Sequence, residues 1–166
     1  MREGLKIEEK IMIKKGNNIC PKNEDNMRVL GSIKVVNSKG ETIKEEKNLV
    51  VNSGLNVIMA RLVGTTKNAL SHMGIGTGTT AVLPADTALE IQKATRLAAS
   101  SITVTANAVE IVATFPGSTH AGAITEFGLF NAASLGEMIS RVVSAPYTLG
   151  SSDAITITWT LTLANS

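Results

Sequence analysis

The chain holds a single cysteine, Cys20, among its 166 residues. No disulfide can close within it, and no cysteine cluster can hold a metal ion. Histidine is nearly as scarce. His72 and His120 are the only two, and neither stands in a His-x-x-x-His or His-x-Glu spacing, so the local signatures of zinc binding and imidazole acid–base chemistry are missing. Aromatic residues amount to 3%, and no basic patch is interleaved with them as a nucleic-acid surface would require. No apolar run approaches the ~20 residues of a membrane-spanning helix. The start, Met1-Arg2-Glu3-Gly4-Leu5-Lys6, leads into further charges and not into the apolar stretch of a secretory signal. Synthesis in the cytoplasm, with no direct nucleic-acid or membrane partner, is the expectation.

Local catalytic motifs are also wanting. Gly74-Ile75-Gly76-Thr77-Gly78-Thr79-Thr80 superficially resembles a phosphate-cradling loop, but no Lys follows the glycines and Pro84 interrupts any helix that starts there. The run reads as a strand end entering a glycine-rich turn. No Gly-x-Ser-x-Gly elbow is present. Asp86 and Glu90 offer oxygens suited to calcium, yet without the regular spacing of a calcium loop. The sequence therefore nominates no catalytic, cofactor or metal-binding residue.

What is abundant is Thr, Ala, Val and Ile, small or β-branched residues that favour pleated sheets. From Ile155 to Leu163, apolar residues alternate strictly with threonines, with Ile155, Ile157, Trp159, Leu161 and Leu163 on one face. Three hairpins are predicted. Val29–Val36 and Glu41–Val51 flank Asn37-Ser38-Lys39-Gly40; Ile102–Thr105 and Val109–Phe115 flank Ala106-Asn107-Ala108; and Ile124–Phe130 and Glu137–Ser144 flank residues 131–136. One helix is predicted, capped by Ser53 and Gly64, with Leu55, Ile58, Met59 and Leu62 as its packing stripe.

The expected fold is mainly β, an antiparallel β-sandwich of jelly-roll or immunoglobulin-like type. It would carry one short helix near residues 53–63 and an extended N-terminal arm. The expected divisions are an arm over 1–27, a hairpin over 28–51 serving oligomerisation or docking, and a sandwich domain over 52–166. Charge follows this division. Residues 1–50 carry 11 Lys and Arg against 8 Asp and Glu, whereas residues 51–166 carry 5 against 6. Mixed-sign runs such as Lys44-Glu45-Glu46-Lys47 read as solvated faces. Glu126, Arg96 and Arg141 are charges inside otherwise apolar strands. They read as a partly buried ion pair or an intersubunit contact. Trp159, on the apolar face of the last strand, reads as core and not as a sugar-stacking platform.

Several segments, taken in order, carry a resemblance. They are Val51-Asn52-Ser53-Gly54-Leu55, His72-Met73 through Thr80-Ala81, and Asp86-Thr87-Ala88-Leu89-Glu90. Arg96, Ile124–Ala132, Gly136–Val142 and the strand running from Ser152-Asp153 to Trp159 continue the series. This ordered set is similar to a module of small bacteriophage virion structural proteins. The resemblance implies a non-enzymatic, particle-building role, as a capsid decoration or head-surface protein, or alternatively as a tail-fibre, collar or baseplate attachment protein. It brings no catalytic residue or cofactor. The implied partners are further copies of the chain, with a trimer favoured, and other virion proteins such as the major capsid protein or tail components. The implied location is the virion, after synthesis in the host-cell cytoplasm. A third expectation is a module that recognises host-surface carbohydrate through loops near Thr77–Pro84 and Pro116–Ala121.

Overall fold

The computed structural model describes residues 27–165, which are 54% strand and 11% helix. The strands are β1 (Met27–Asn37), β2 (Thr42–Val50), β3 (His72–Gly76), β4 (Leu97–Ala98), β5 (Ser101–Thr105), β6 (Ala108–Pro116), β7 (Gly122–Phe130), β8 (Met138–Leu149) and β9 (Ala154–Asn165). They form one antiparallel sheet in the order β4-β3-β7-β8-β2-β1-β9-β6-β5. The sheet is curled. Only Ala99 and Ser100 separate the two edge strands β4 and β5, and these residues tie their surroundings together. The Ala99 N–H donates to the Ser71 carbonyl at 2.8 Å and the Ser100 N–H to the Val112 carbonyl at 2.7 Å.

Curling turns one face of the sheet inward. Ile33, Phe115 and Trp159 from one half join Met73, Ile75, Phe127 and Leu129 from the other in a single buried cluster. Each such side chain contributes roughly 1.5–3 kcal/mol on removal from water. The alternation of β9 sets the inner face, with Ile155, Ile157, Trp159 and Leu161 buried and the threonines between them half-buried. Trp159 pairs with Ile33 of β1 on one side and Ile111 of β6 on the other, so large apolar side chains stand abreast.

The β1–β2 hairpin stands in the middle of the strand order, and its Ile33 and Val35 belong to the common core. Its turn is closed by Asn37, whose side-chain oxygen accepts from the Lys39 and Glu41 N–H groups, and by Gly40 at φ +80°. The arm expected over 1–27 lies, apart from Met27, outside the described residues.

Four local expectations need correction. The helix α1 (Asn52–Leu62) is capped by Val51, because the Ser53 hydroxyl donates instead to the Met138 carbonyl at 2.6 Å. Its buried face is Gly54 and Val57, while Leu55, Met59 and Leu62 are exposed. Gly54 decides this: a Cβ there would lie 2.1 Å from the Ile139 carbonyl oxygen, so its absence lets the helix press on β8 by that side. A second, four-residue helix, α2 (Gly117–His120), adds to the one expected. Finally, β8 runs on past Ser144 to Leu149, where Ala123 and Ile124 of β7 pair with Thr148 and Tyr147.

Candidate functional site

The glycine-rich run and the buried charges meet in one place. Glu126 on β7 is fully buried, and its carboxylate is surrounded by donors. One oxygen accepts from the Gly78 N–H at 3.0 Å and the Ile91 N–H at 2.8 Å. The other accepts from the Glu90 N–H at 3.0 Å and from Arg141 Nε on neighbouring β8 at 3.0 Å. Arg141 Nη2 lies 2.9 Å from the same oxygen and 3.7 Å from Glu90, and Nη1 donates to Asp86 at 2.8 Å. A buried carboxylate persists as an ion only with such pairing and hydrogen bonding.

Glycine is required where this loop closes on Glu126. A Cβ on Gly76 would lie 2.4 Å from both Glu126 Oε1 and the Ile91 carbonyl oxygen, and one on Gly78 would lie 2.5 Å from Glu90 Cβ. The backbone N–H groups that superficially suggested a phosphate cradle bind the protein's own carboxylates. Thr79 and Thr80 donate theirs to Glu90 at 2.8 Å each, and the Thr80 hydroxyl adds a third bond at 2.8 Å.

Electrostatics follow the geometry. Burial acts against the Asp86 carboxylate, but the Leu83 N–H and the Arg141 guanidinium outweigh it and hold its pKa below the ordinary value. The Thr80 N–H and hydroxyl lower that of Glu90, helped by the Thr79 N–H and Arg141. Burial also opposes the charge on Arg141, yet its bonds to Asp86 and Glu126 raise its pKa. The result is a clasp in which one guanidinium and several backbone donors fasten residues 77–91 to β7 and β8. Asp86 and Glu90, whose oxygens suited calcium, are engaged in it.

Arg96 stands apart from this pair. Its guanidinium lies 3.4 Å from the centre of the Phe130 ring, and it donates to Gln92 at 3.0 Å and to the Ala132 carbonyl at 3.3 Å. Burial lowers its pKa. Trp159 is buried in the core, also away from the clasp. The histidines are separate as well. His72 contacts the Ser71 hydroxyl at 2.8 Å, whereas His120 packs edge-on against Phe115 and contacts Thr119 at 2.7 Å.

A second feature is an open apolar groove, which sequence patterning did not reveal. β1 and β2 pair from Gly31 opposite Asn48 to Val36 opposite Thr42. Beyond Asn48, β2 leaves β1 and pairs with β8, Leu49 opposite Arg141 and Val50 opposite Ser140. Asn48 marks the parting: its side chain donates to the Ser140 hydroxyl, and a Cβ on Gly31 would collide with it. Met27–Leu30 consequently pair with β9 alone, and their other edge faces no strand among the described residues.

Across the gap stands α1. Met27, Leu30, Leu49, Leu55, Ile58 and Met59 help line a groove of about 800 Å³. Met27 is 58% exposed, Leu30 53% and Met59 55%. A smaller hollow of about 230 Å³ shares Val29 and Ile58 with it and extends the apolar surface to Val104 and Leu163. Monomeric soluble proteins rarely expose contiguous apolar surface of this extent. The available signal was the helical stripe, of which Leu55 and Met59 are exposed and line this surface. No protein-family model, curated protein or solved structure matches the chain.

Proposed function

We propose that the chain is a non-enzymatic structural protein of a bacteriophage particle, a capsid decoration or head-surface protein that works by assembling with further copies of itself and with shell proteins. The observation that carries this reading is the open apolar groove between β1, β2 and α1, with its extension toward Val104 and Leu163. Such a surface gains stability when another chain covers it. The clasp around Glu126 suits the same role, since it holds a long loop rigid at the opposite side of β8 from the hairpin. In this reading the curled sheet acts as a β-sandwich whose layers share β2, one holding β5, β6, β9 and β1 and the other β8, β7, β3 and β4. A homo-oligomer with closed symmetry follows, and a trimer fits a threefold position on a shell.

Attachment in a tail fibre, collar or baseplate uses the same assembly chemistry and differs only in address. Carbohydrate recognition by the Thr77–Pro84 loop has less to draw on, because the Thr79 and Thr80 N–H groups already serve Glu90. The test is the protein composition and heat resistance of purified particles, with and without the intact coding sequence. Co-purification, and earlier particle rupture when the protein is missing, is the expected outcome. Particles unchanged in composition and stability would refute the proposal.

A further inference from the structure

The groove has an edge as well as a surface, and the two together specify what fills it. Along Met27–Leu30 one side of β1 carries no strand among the described residues, so its backbone groups can accept an added strand. Facing that edge are Leu55, Ile58 and Met59 of α1, which would receive the side chains of such a strand. The occupant must therefore be a short extended segment, apolar over three or four residues.

Residues 1–26 contain one such segment, Lys10-Ile11-Met12-Ile13. The chain enters the described structure at Met27, on the rim of the groove. The 13 residues from Lys14 to Asn26 can span up to about 45 Å when extended. That reach is enough to cross to a neighbouring copy. Antiparallel addition also brings Glu8 and Glu9 toward Lys47 on the groove wall, a favourable charge pairing.

A second copy fits better than the chain's own segment. A single returning segment would cover the β1 edge and leave Val104 and Leu163 of the adjoining hollow exposed. A second copy brings both a segment and its own equivalent apolar surface, so mutual exchange covers all of it under closed symmetry. We infer that Lys10–Ile13 of one copy adds as a strand to the open β1 edge of another and sets Ile11 and Ile13, which share one face of that strand, against α1. This rests on the assembly reading above and names the contact that holds the copies together.

The test uses full-length chains carrying Cys20→Ser. One chain carries Ile11→Cys; an isotopically heavy chain carries Met59→Cys, a position already exposed. The two are mixed and treated with a short bis-maleimide, and their mass in solution is measured by light scattering. A light–heavy cross-link between positions 11 and 59 within an oligomer is expected, and Ile13→Asp, on the same face of the added strand as position 11, should weaken that oligomer at least tenfold. An oligomer without the 11–59 link overturns the exchange while leaving assembly intact. A monomeric chain carrying both cysteines that links them internally overturns it too. A chain monomeric at every concentration sinks both proposals.

Discussion

Replacing Arg141 with Met removes the cation of the clasp while keeping an unbranched apolar stem. The Glu126 carboxylate, fully buried, would then lose the Nε bond at 3.0 Å and the Nη2 contact at 2.9 Å, and Asp86 its bond at 2.8 Å. Breaking one partner out of a buried ion pair costs about 3–5 kcal/mol. Glu126 keeps three backbone donors, from Gly78, Glu90 and Ile91, which continue to stabilise its charge and place the loss near the lower bound, about 3 kcal/mol. At a urea dependence of about 2 kcal/mol per molar, the unfolding midpoint falls by about 1.5 M. Equilibrium urea unfolding followed by tryptophan fluorescence reads this directly, because Trp159 is buried in the core. Amide exchange at Gly78, Glu90 and Ile91 should accelerate together. A midpoint shift below about 0.3 M would refute the view that this ion pair secures the loop.

Gly54→Val forces a side chain against the Ile139 carbonyl and should cost about 2 kcal/mol or more, whereas Leu62→Ser on the exposed face, outside the groove, should change stability by no more than about 0.5 kcal/mol. Equal effects in urea unfolding would contradict the assigned helix face. Trp159→Ala should destabilise by about 3–5 kcal/mol, read in the same experiment by circular dichroism, and a loss under about 1 kcal/mol would contradict its place in the core. Asp86, Glu90 and Glu137 have lowered pKa values, so the native state binds fewer protons than the unfolded chain over the acid range. Their contribution is full above the ordinary carboxylate values of about 4 and is lost as pH falls through the lower folded values. The urea midpoint should therefore decline as pH falls from about 5 toward 3, and a constant or rising midpoint would contradict this.

The strands were legible where one face is buried and the other is not. In β9 the apolar–threonine alternation maps onto buried and half-buried positions from Ile155 to Leu161, since the inward face of a curled sheet imposes a period of two. Turn chemistry likewise marked the β1–β2, β5–β6 and β7–β8 hairpins. The face of α1 was not legible, because apolar residues lie on both sides of it. A missing Cβ at Gly54, and not the larger stripe, settles which side approaches β8.

The clasp was half legible. Glu126 and Arg141 stood out as charges within apolar strands, but their bonds to Gly78, Glu90 and Asp86 span 36 to 55 residues of sequence. Local spacing carries no trace of such contacts, and Arg96, similar in sequence context, turns instead to the Phe130 ring. The groove left only the apolar stripe of α1 as a local trace. It exists because β2 changes partner from β1 to β8 after Asn48, a consequence of the sheet's curl and of no local motif.

Gold labelling of this protein on particles released from cells that carry its coding sequence, viewed by electron microscopy, asks whether the protein is built into a particle. Label fixed at regular positions on the head surface is the expected result. Unlabelled particles, with all of the protein left in the soluble fraction, would contradict it.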